Sequence, residues 1–270
     1  MSEDLIIRIR GLRNAFGPQV VHEQLDLDVR RGEILGLIGG SGSGKSVLMK
    51  SIIGLLRPSA GSIEVDGMDA LSSEPADRAR LERSWGVMFQ DGALFSSLTV
   101  LENVMVPLVE HYRSLPESFV EHLARLKISL AALPPESAGK FPAELSGGMR
   151  KRAAVARALA LDPQILFFDE PTAGLDPIAA AEFDQLLLTL SRSLQLTVIV
   201  ITHDLDTLYT ICDRVAVISA RRIIANAPIT ELERNPDPWL QQYFQGPRGR
   251  AAAQAESARH PPTHPATTEA

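Results

Sequence analysis

Cysteine and excess positive charge are both missing from this sequence. Cys212 is the only cysteine among 270 residues, so the chain has no intramolecular disulfide framework and suits a reducing cytosol. The formal net charge is −6, whereas neutralising the phosphates of nucleic acid takes clustered lysine and arginine. We therefore do not expect nucleic acid to be a partner.

Long apolar runs are missing too. No stretch reaches the roughly 20 apolar residues that cross a bilayer, and the acidic residues 1–4 do not resemble a secretory signal. The sequence thus predicts neither a signal nor a transmembrane helix, and any membrane role is expected to go through a partner. Apolar residues still make up 45% of the chain, which is enough to bury a sizeable core.

The most informative stretch is a glycine-rich loop. Residues 34–38 predict a buried strand before it and residues 47–53 a helix after it, which is the setting of a P-loop. The spacing G-x-x-x-x-G-K-S predicts that backbone N–H groups surround a nucleoside triphosphate, with Lys45 reaching the β- and γ-phosphates and Ser46 ligating Mg²⁺. The binding candidates are Gly39, Gly40, Ser41, Gly42, Ser43, Gly44, Lys45, Ser46 and Val47.

A turn at residues 15–18 presents Phe16 just ahead of the P-loop strand. Strands are predicted on either side of it, at 5–13 and 25–29. An aromatic ring can stack on the face of a base, so Phe16 is a candidate adenine platform. Its position alone favours a core residue at the sheet margin, and only the motifs further along the chain reverse that preference.

Polar residues follow three more predicted strands. Gln90 comes after 85–89, Asp169 and Glu170 come after 165–168, and His203 comes after 197–201. Ligands of open α/β sheets bind at the carboxyl ends of the strands, so these side chains are expected to meet. Asp169 is suited to hold Mg²⁺, Glu170 to polarise the attacking water and His203 to contact the γ-phosphate.

Helical patterning dominates residues 94–160. We expect it to be broken at the prolines, and to form an inserted helical subdomain. The prolines concerned are Pro107, Pro116, Pro134, Pro135 and Pro142.

A second anion site is predicted near the end of this region. Ser146, Gly147 and Gly148 stand at the start of a helix, where exposed backbone N–H groups and the helix dipole favour phosphate. The basic residues at 150–152 are interpreted as a solvated helix face rather than a nucleic-acid patch.

Together these motifs resemble the ATP-binding-cassette ATPases, the nucleotide-binding subunits of ABC transporters, across about residues 5–245. The resemblance implies an α/β fold with a P-loop NTPase core, in which helices flank a mostly parallel sheet. It also implies an antiparallel β subdomain and the helical subdomain inserted at about 94–160. ATP and Mg²⁺ are the implied ligands.

The resemblance also implies roles by position. In chain order these are Phe16 as the A-loop aromatic, 39–46 as the Walker A loop, Gln90 as the Q-loop glutamine, 145–149 as the signature loop, Asp169 as the Walker B aspartate, Glu170 as the catalytic base, 173–176 as the D-loop and His203 as the switch histidine. Lys45 and Gln90 are expected to assist catalysis, and Ser46, Gln90 and Asp169 to ligate Mg²⁺. In this family two copies dimerise head to tail, so the signature of one copy closes on the ATP of the other.

Two positions depart from the common pattern: the signature sequence is LSGGM rather than LSGGQ, and Phe16 stands where tyrosine is commoner. Met149, with residues 89–95 and 235–238, makes the chain most similar to the Mla-type subfamily, which drives phospholipid movement in Gram-negative bacteria. That implies a place at the cytoplasmic face of the inner membrane, bound to a permease and working with a lipid-carrier protein. Some members also bind a small STAS-type protein, and the residues do not decide whether this chain does.

Two other functions stay open. One is an importer ATPase for a small solute, because no residue identifies the cargo. The other is a soluble ABC-type DNA clamp or ATP-gated scaffold, although such proteins usually carry a coiled coil or zinc module that this sequence lacks. Residues 246–270, rich in alanine and proline, are predicted to be a disordered tail after an ATPase domain at 1–245.

Overall fold

The computed structural model describes residues 4–90 and 92–246. Its strands are β1 (Leu5–Phe16), β2 (Gln19–Arg30), β3 (Ile34–Gly39), β4 (Ala60–Val65), β5 (Met68–Asp69), β6 (Trp85–Met88), β7 (Ile165–Asp169), β8 (Thr197–Ile201), β9 (Arg214–Ser219) and β10 (Arg222–Ala227). Its helices are α1 (Lys45–Ile52), α2 (Pro75–Ser84), α3 (Val100–His111), α4 (Glu117–Leu130), α5 (Gly147–Ala158), α6 (Pro177–Leu194), α7 (Leu205–Ile211), α8 (Ile229–Leu232) and α9 (Pro238–Phe244), with 3₁₀ turns at Pro135–Gly139 and Pro142–Glu144.

A six-stranded sheet in the order β10-β9-β3-β8-β7-β6 forms the centre. Its strands β9, β3, β8, β7 and β6 pair in parallel, and β10 is antiparallel to β9. All five residues of β8 are buried, as expected for a strand covered on both faces. The carboxyl ends of β3, β6, β7 and β8 therefore lie along one margin, called here the carboxyl edge.

A second, antiparallel sheet has the order β2-β1-β4-β5. One hydrophobic cluster joins its inner face to α1 and to one face of the central sheet, with Ile9, Leu25, Leu48, Leu37 and Phe167 among its members. The helix that begins at the P-loop is thus fixed between two sheets. Phe16 is the last residue of β1 rather than part of the turn, because the hairpin closes through 17–18 alone.

The other face of the central sheet carries α3, α4 and α5 through a second cluster. The sequence-based expectation of a break at Pro107 is wrong, since Pro107 lies inside α3. A proline in a helix interior costs about 3 kcal/mol. Here the capping box of Thr99 and Glu102 and the burial of Val104 and Leu108 offset that cost.

This architecture is the predicted α/β fold class. Within 4–90 and 92–246, no helix is both long and apolar enough to cross a bilayer. The predicted tail lies outside the described residues, apart from Gly246.

Candidate functional site

The P-loop follows β3 and leads into α1. Gly42 and Gly44 have φ angles of 75° and 98°, a region that side chains with a Cβ avoid. Gly44 is the N-cap of α1, and having no side chain it leaves the first-turn N–H groups free for a ligand. The loop is therefore shaped as a backbone anion site, as its spacing predicts.

A buried polar network backs the loop, and sequence reasoning missed it. His22 is fully buried, and a Cβ at Gly44 would lie only 2.4 Å from its Nε2 atom. The amide of Asn14 lies 3.0 Å from His22 Nδ1 and donates to Ser51 Oγ at 3.1 Å. Since that amide donates to Nδ1, the neutral ring carries its proton on Nε2, facing the loop. Burial lowers the pKa of His22 to about 4, against a weaker opposing effect of the Ser43 backbone.

Lys45 is folded back over the P-loop. Its Nζ donates to the carbonyl oxygens of Gly39 at 2.9 Å and Gly40 at 3.3 Å. Burial lowers the pKa of Lys45, while the charges of Glu170 and Asp169 act in the opposite direction. The ammonium group therefore already lies within the field of both carboxylates.

Ser46 and Asp169 meet at the carboxyl edge. The hydroxyl of Ser46, in the first turn of α1, donates to Asp169 Oδ2 at the end of β7 over 2.9 Å. A hydroxyl and a carboxylate oxygen suit Mg²⁺, which keeps water and substrate phosphates as its other ligands. Among the described residues, no group of three or more His, Cys, Asp or Glu side chains is arranged to hold a metal ion by itself.

Glu170 and His203 meet beside this pair. The Nδ1 atom of His203 lies 2.8 Å from Glu170 Oε2, with His203 73% exposed and Glu170 only 18%. Glu170 has a left-handed backbone, with φ 51°, and its N–H donates to the carbonyl of Ile201 at 2.8 Å. A non-glycine residue in this region is strained, which is common at functional sites. The carboxylate is thus held next to the P-loop, where it could accept a proton.

Gln90 is exposed just past β6, and its described contact with the rest of the site runs through its backbone carbonyl. Phe16 is 46% exposed at the end of β1, so its ring has an open face.

The signature residues lie elsewhere. Ser146 caps α5 by accepting from the N–H of Met149 at 3.2 Å. With Gly147 and Gly148 it lines a cleft of about 320 Å³. The remaining lining residues are Met149, Arg152, Gly174, Leu175, Asp176, Ala179, Glu182 and Phe183, all from α5, the predicted D-loop or α6 and its cap. One chain therefore does not bring the signature and the P-loop together.

Lys151 contradicts the interpretation of 150–152 as a solvated face. It is only 8% exposed, and its Nζ lies 3.3 Å from the carbonyl oxygen of Glu170 and 3.5 Å from that of Gln90. Successive residues of a helix are turned by about 100°, so three in a row cannot all face solvent when one side of the helix is packed. Arg150 is exposed, whereas Arg152 pairs with Glu182 at 3.4 Å.

The C-terminal helix α9 also reaches the site, another feature that sequence reasoning missed. The hydroxyl of Tyr243 donates to the carbonyl of His203 at 3.4 Å. The ring of Trp239 stacks on Tyr243, with centroids 4.9 Å apart and planes 12° apart. Burial, followed by the charges of Glu170 and Asp204, raises the pKa of Tyr243.

A known protein family matches more than half of the chain. The family described as ABC transporter matches residues 22–173, a range that includes the P-loop, Gln90, the signature residues, Asp169 and Glu170.

Relatives that match over most of this chain carry names of different transport systems. The chain is 38% identical to a probable ribonucleotide transport ATP-binding protein, mkl, of Mycobacterium leprae, covering 92% of this chain and 71% of that protein. It is 36% identical to the intermembrane phospholipid transport system ATP-binding protein MlaF of Haemophilus influenzae, covering 91% of this chain and 92% of that protein. It is 40% identical to the methionine import ATP-binding protein MetN of Mannheimia succiniciproducens, covering 82% and 64%.

Among solved structures, the fold is similar to a dimeric ATP-binding cassette in a post-hydrolysis state bound to ADP and phosphate. The TM-score is 0.74 at 28% identity, over 82% of this chain and 98% of the other.

Proposed function

The chain belongs to the ABC transporter family as an ATP-hydrolysing subunit, and from that premise we propose that it powers an inner-membrane permease that moves phospholipid. The ATPase chemistry is supported by one observation above all. The P-loop, the Ser46–Asp169 pair and the Glu170–His203 pair converge at the carboxyl edge. The phospholipid assignment is supported by the similarity to MlaF over 91% of this chain and 92% of that protein.

In the proposed reaction, Lys45 and the P-loop N–H groups bind the β- and γ-phosphates, and Phe16 stacks on adenine. Ser46 and Asp169, with Gln90, would hold Mg²⁺, which neutralises charge developing on the phosphate oxygens when bound. Glu170 accepts a proton from the attacking water, and His203 holds the Glu170 carboxylate and contacts the γ-phosphate.

The proposed active unit is a head-to-tail dimer of this chain. Ser146, Gly147 and Gly148 would bind the ATP held by the partner's P-loop, because their own cleft is lined by residues remote from the P-loop of the same chain. The dimeric cassette among similar structures supports this arrangement.

The cargo is the finer part of the proposal. The names of mkl and MetN favour ribonucleotide or methionine as alternatives, so a small-solute transporter is the competing function. A lipid-carrier protein and a STAS-type protein belong to the phospholipid alternative as further proposed partners. A location at the cytoplasmic face of the inner membrane follows from the permease in either case.

The proposed docking surface for the permease lies just past the Q-loop glutamine. Leu94, at the start of the apolar region 94–107, is half-buried against the helical cluster, whereas the neighbouring Phe95 is 51% exposed. Leu94 contributes to the packing of that cluster, whereas more of Phe95 is exposed. Phe95 is therefore the better candidate for contact with another subunit.

The test is to extract the full chain from native membranes in mild detergent and identify what accompanies it. We expect an integral-membrane permease and phospholipid in the purified complex. A Phe95→Glu variant should lose most of the permease while binding ATP normally, because a carboxylate buried without a partner in an interface is costly.

Leu194→Glu is the matched control. Leu194 is 42% exposed at the end of α6, before β8 begins, and so lies at the opposite edge of the sheet from Phe95. It should keep the permease. Recovery of the wild-type chain with a small-solute permease and no phospholipid would overturn the phospholipid proposal, and recovery with DNA would overturn the transporter proposal.

A further inference from the structure

A buried lysine lies where three predicted motifs meet. Lys151 is on α5, the helix that begins at the signature loop, and its Nζ lies within 3.5 Å of backbone carbonyl oxygens in both Gln90 and Glu170. The ammonium group carries three donors and suits carbonyl oxygens that face one another. Lys151 thus connects the signature helix to the Q-loop and to the residue proposed as catalytic base.

The contact with Glu170 falls on a strained residue. Glu170 has a φ of 51°, and such backbone persists only where its surroundings fix it. Three bonds do so on the two sides of the α-carbon: the N–H of Glu170 donates to Ile201, and its carbonyl accepts from Lys151 and from the N–H of Ala173, each at 3.3 Å. Loss of the Lys151 bond would leave the carbonyl with the Ala173 bond, and so loosen the peptide after Glu170 and with it the direction of the side chain.

A second residue of α5, Arg157, bonds to the Q-loop at residues 92–93, shortly after Gln90. Arg157 donates from Nη1 to the carbonyl of Ala93 at 2.7 Å and from Nη2 to that of Gly92 at 2.9 Å. Both acceptors have positive φ angles, 47° and 75°. Since α5 spans Ser146, Lys151 and Arg157 as one continuous helix, a shift at its signature end moves the Q-loop and the carbonyl of Glu170 together.

We propose that Lys151 is a positioning residue that holds the Glu170 carboxylate in its hydrolytic orientation and links that orientation to α5. The proposal rests on the role of Glu170 as base given above. When the signature end of α5 closes on the partner's ATP, Lys151 carries the movement to Glu170 and Gln90. Hydrolysis therefore takes place only after the dimer has closed.

The test compares Lys151→Met with Glu170→Gln in the purified full chain with MgATP. Methionine has similar length and volume but no donor. We expect kcat to fall about tenfold to a hundredfold with KM for ATP changed less than about twofold, because a misplaced base slows the chemical step and leaves binding alone. The ATP-bound dimer, measured by light scattering, should accumulate in Lys151→Met as it does in Glu170→Gln.

A purely structural role for Lys151 predicts the opposite change. If Lys151 only supports the signature helix, then Lys151→Met should weaken the contact with the partner's ATP, and the dimer population should fall. Dimer loss, or an unchanged kcat, would overturn the proposal. Lys151→Gln, which keeps one donor group, should show an intermediate kcat, and its failure to exceed Lys151→Met would also count against the proposal.

Lys127→Met is the matched control. Lys127 is another buried lysine, 3% exposed, and it pairs with Asp162, which precedes the start of β7, whereas Glu170 follows its carboxyl end. This variant should lower the melting temperature without changing kcat. Should Glu170→Gln itself hydrolyse ATP at the wild-type rate, the base assignment fails; should it arrest while Lys151→Met does not, only the present inference fails.

Discussion

The two phosphate-binding halves of this molecule are built differently. In the P-loop half, the side chains that would act on ATP already touch one another: Ser46 donates to Asp169, and His203 Nδ1 lies 2.8 Å from Glu170 Oε2. In the signature half, the hydroxyl of Ser146 is used to cap its own helix, and the adjoining cleft contains no P-loop residue among those that line it. The side chains for the chemistry are thus concentrated in one half, while the other half, in the proposed dimer, would supply donors to a phosphate held by the partner's P-loop.

The largest expected effect removes the cation of the P-loop half. Lys45→Ala should abolish tight ATP binding and turnover, because a charge and a donor to the β- and γ-phosphates are both lost. ATPase assay and nucleotide titration check this. Gly148→Asp should abolish turnover from the other half, and since a Cβ at Gly148 meets no atom within 4 Å, the fold should tolerate it.

Mixing these two inactive chains tests the comparison itself. A mixed dimer has one site with an intact P-loop and an intact signature, so some ATPase activity should return. If both halves acted within one chain, the mixture would stay inactive, and the proposed dimer would be wrong.

A smaller effect is expected from His22, which lies buried behind the P-loop. The pKa of His22 is lowered from its ordinary 6.5 to about 4, so below pH 6.5 the unfolded chain takes up a proton that the folded chain does not. The unfolding free energy should therefore fall as pH drops from 6.5 towards 4, with about 2 kcal/mol lost by pH 5 from this group. Denaturant titration at pH 7 and pH 5 measures the loss.

His22→Leu sharpens this test. The variant should be less stable at pH 7, because Asn14 loses one of its two partners and keeps only Ser51. Because leucine does not titrate, its stability should decline less steeply between pH 7 and pH 5. An equally steep decline in both proteins would assign the acid sensitivity to other groups.

The smallest expected effect is at Phe16. Phe16→Ala should raise KM for ATP about tenfold with little change in kcat, because stacking on adenine is equally strong in the ground and transition states. Binding of tripolyphosphate, which has no base, is the control. If ATP and tripolyphosphate weaken equally, Phe16 is not the adenine platform.

The carboxyl edge could be predicted because its signals are local. Uniformly apolar runs at 34–38, 165–168 and 197–201 end at a polar residue or loop, and parallel strands place those ends together. The glycine-rich loop, Asp169 and His203 could therefore be identified as candidates from the sequence alone. The same holds for a separate candidate site at the signature residues.

The buried polar residues behind the site, His22 and Lys151, could not be predicted, because their partners are distant in sequence. His22 bonds to Asn14, which bonds to Ser51, 37 positions away, and Lys151 bonds to Gln90, 61 positions away. For Lys151 a signal did exist: at helical spacing it shares a face with Ala154, Val155 and Ala158, all buried.

The stacked rings of Trp239 and Tyr243 in α9 offer a fluorescence probe of the site. Trp239 is one of only two tryptophans, the other being Trp85 at the start of β6, on the opposite edge of the sheet. Because Trp239 stacks on the tyrosine whose hydroxyl reaches the carbonyl of His203, a movement of that loop would disturb the stack. Replacing Trp85 with phenylalanine would leave a single tryptophan beside three tyrosines, and its selectively excited emission should follow the histidine loop during turnover without an added dye.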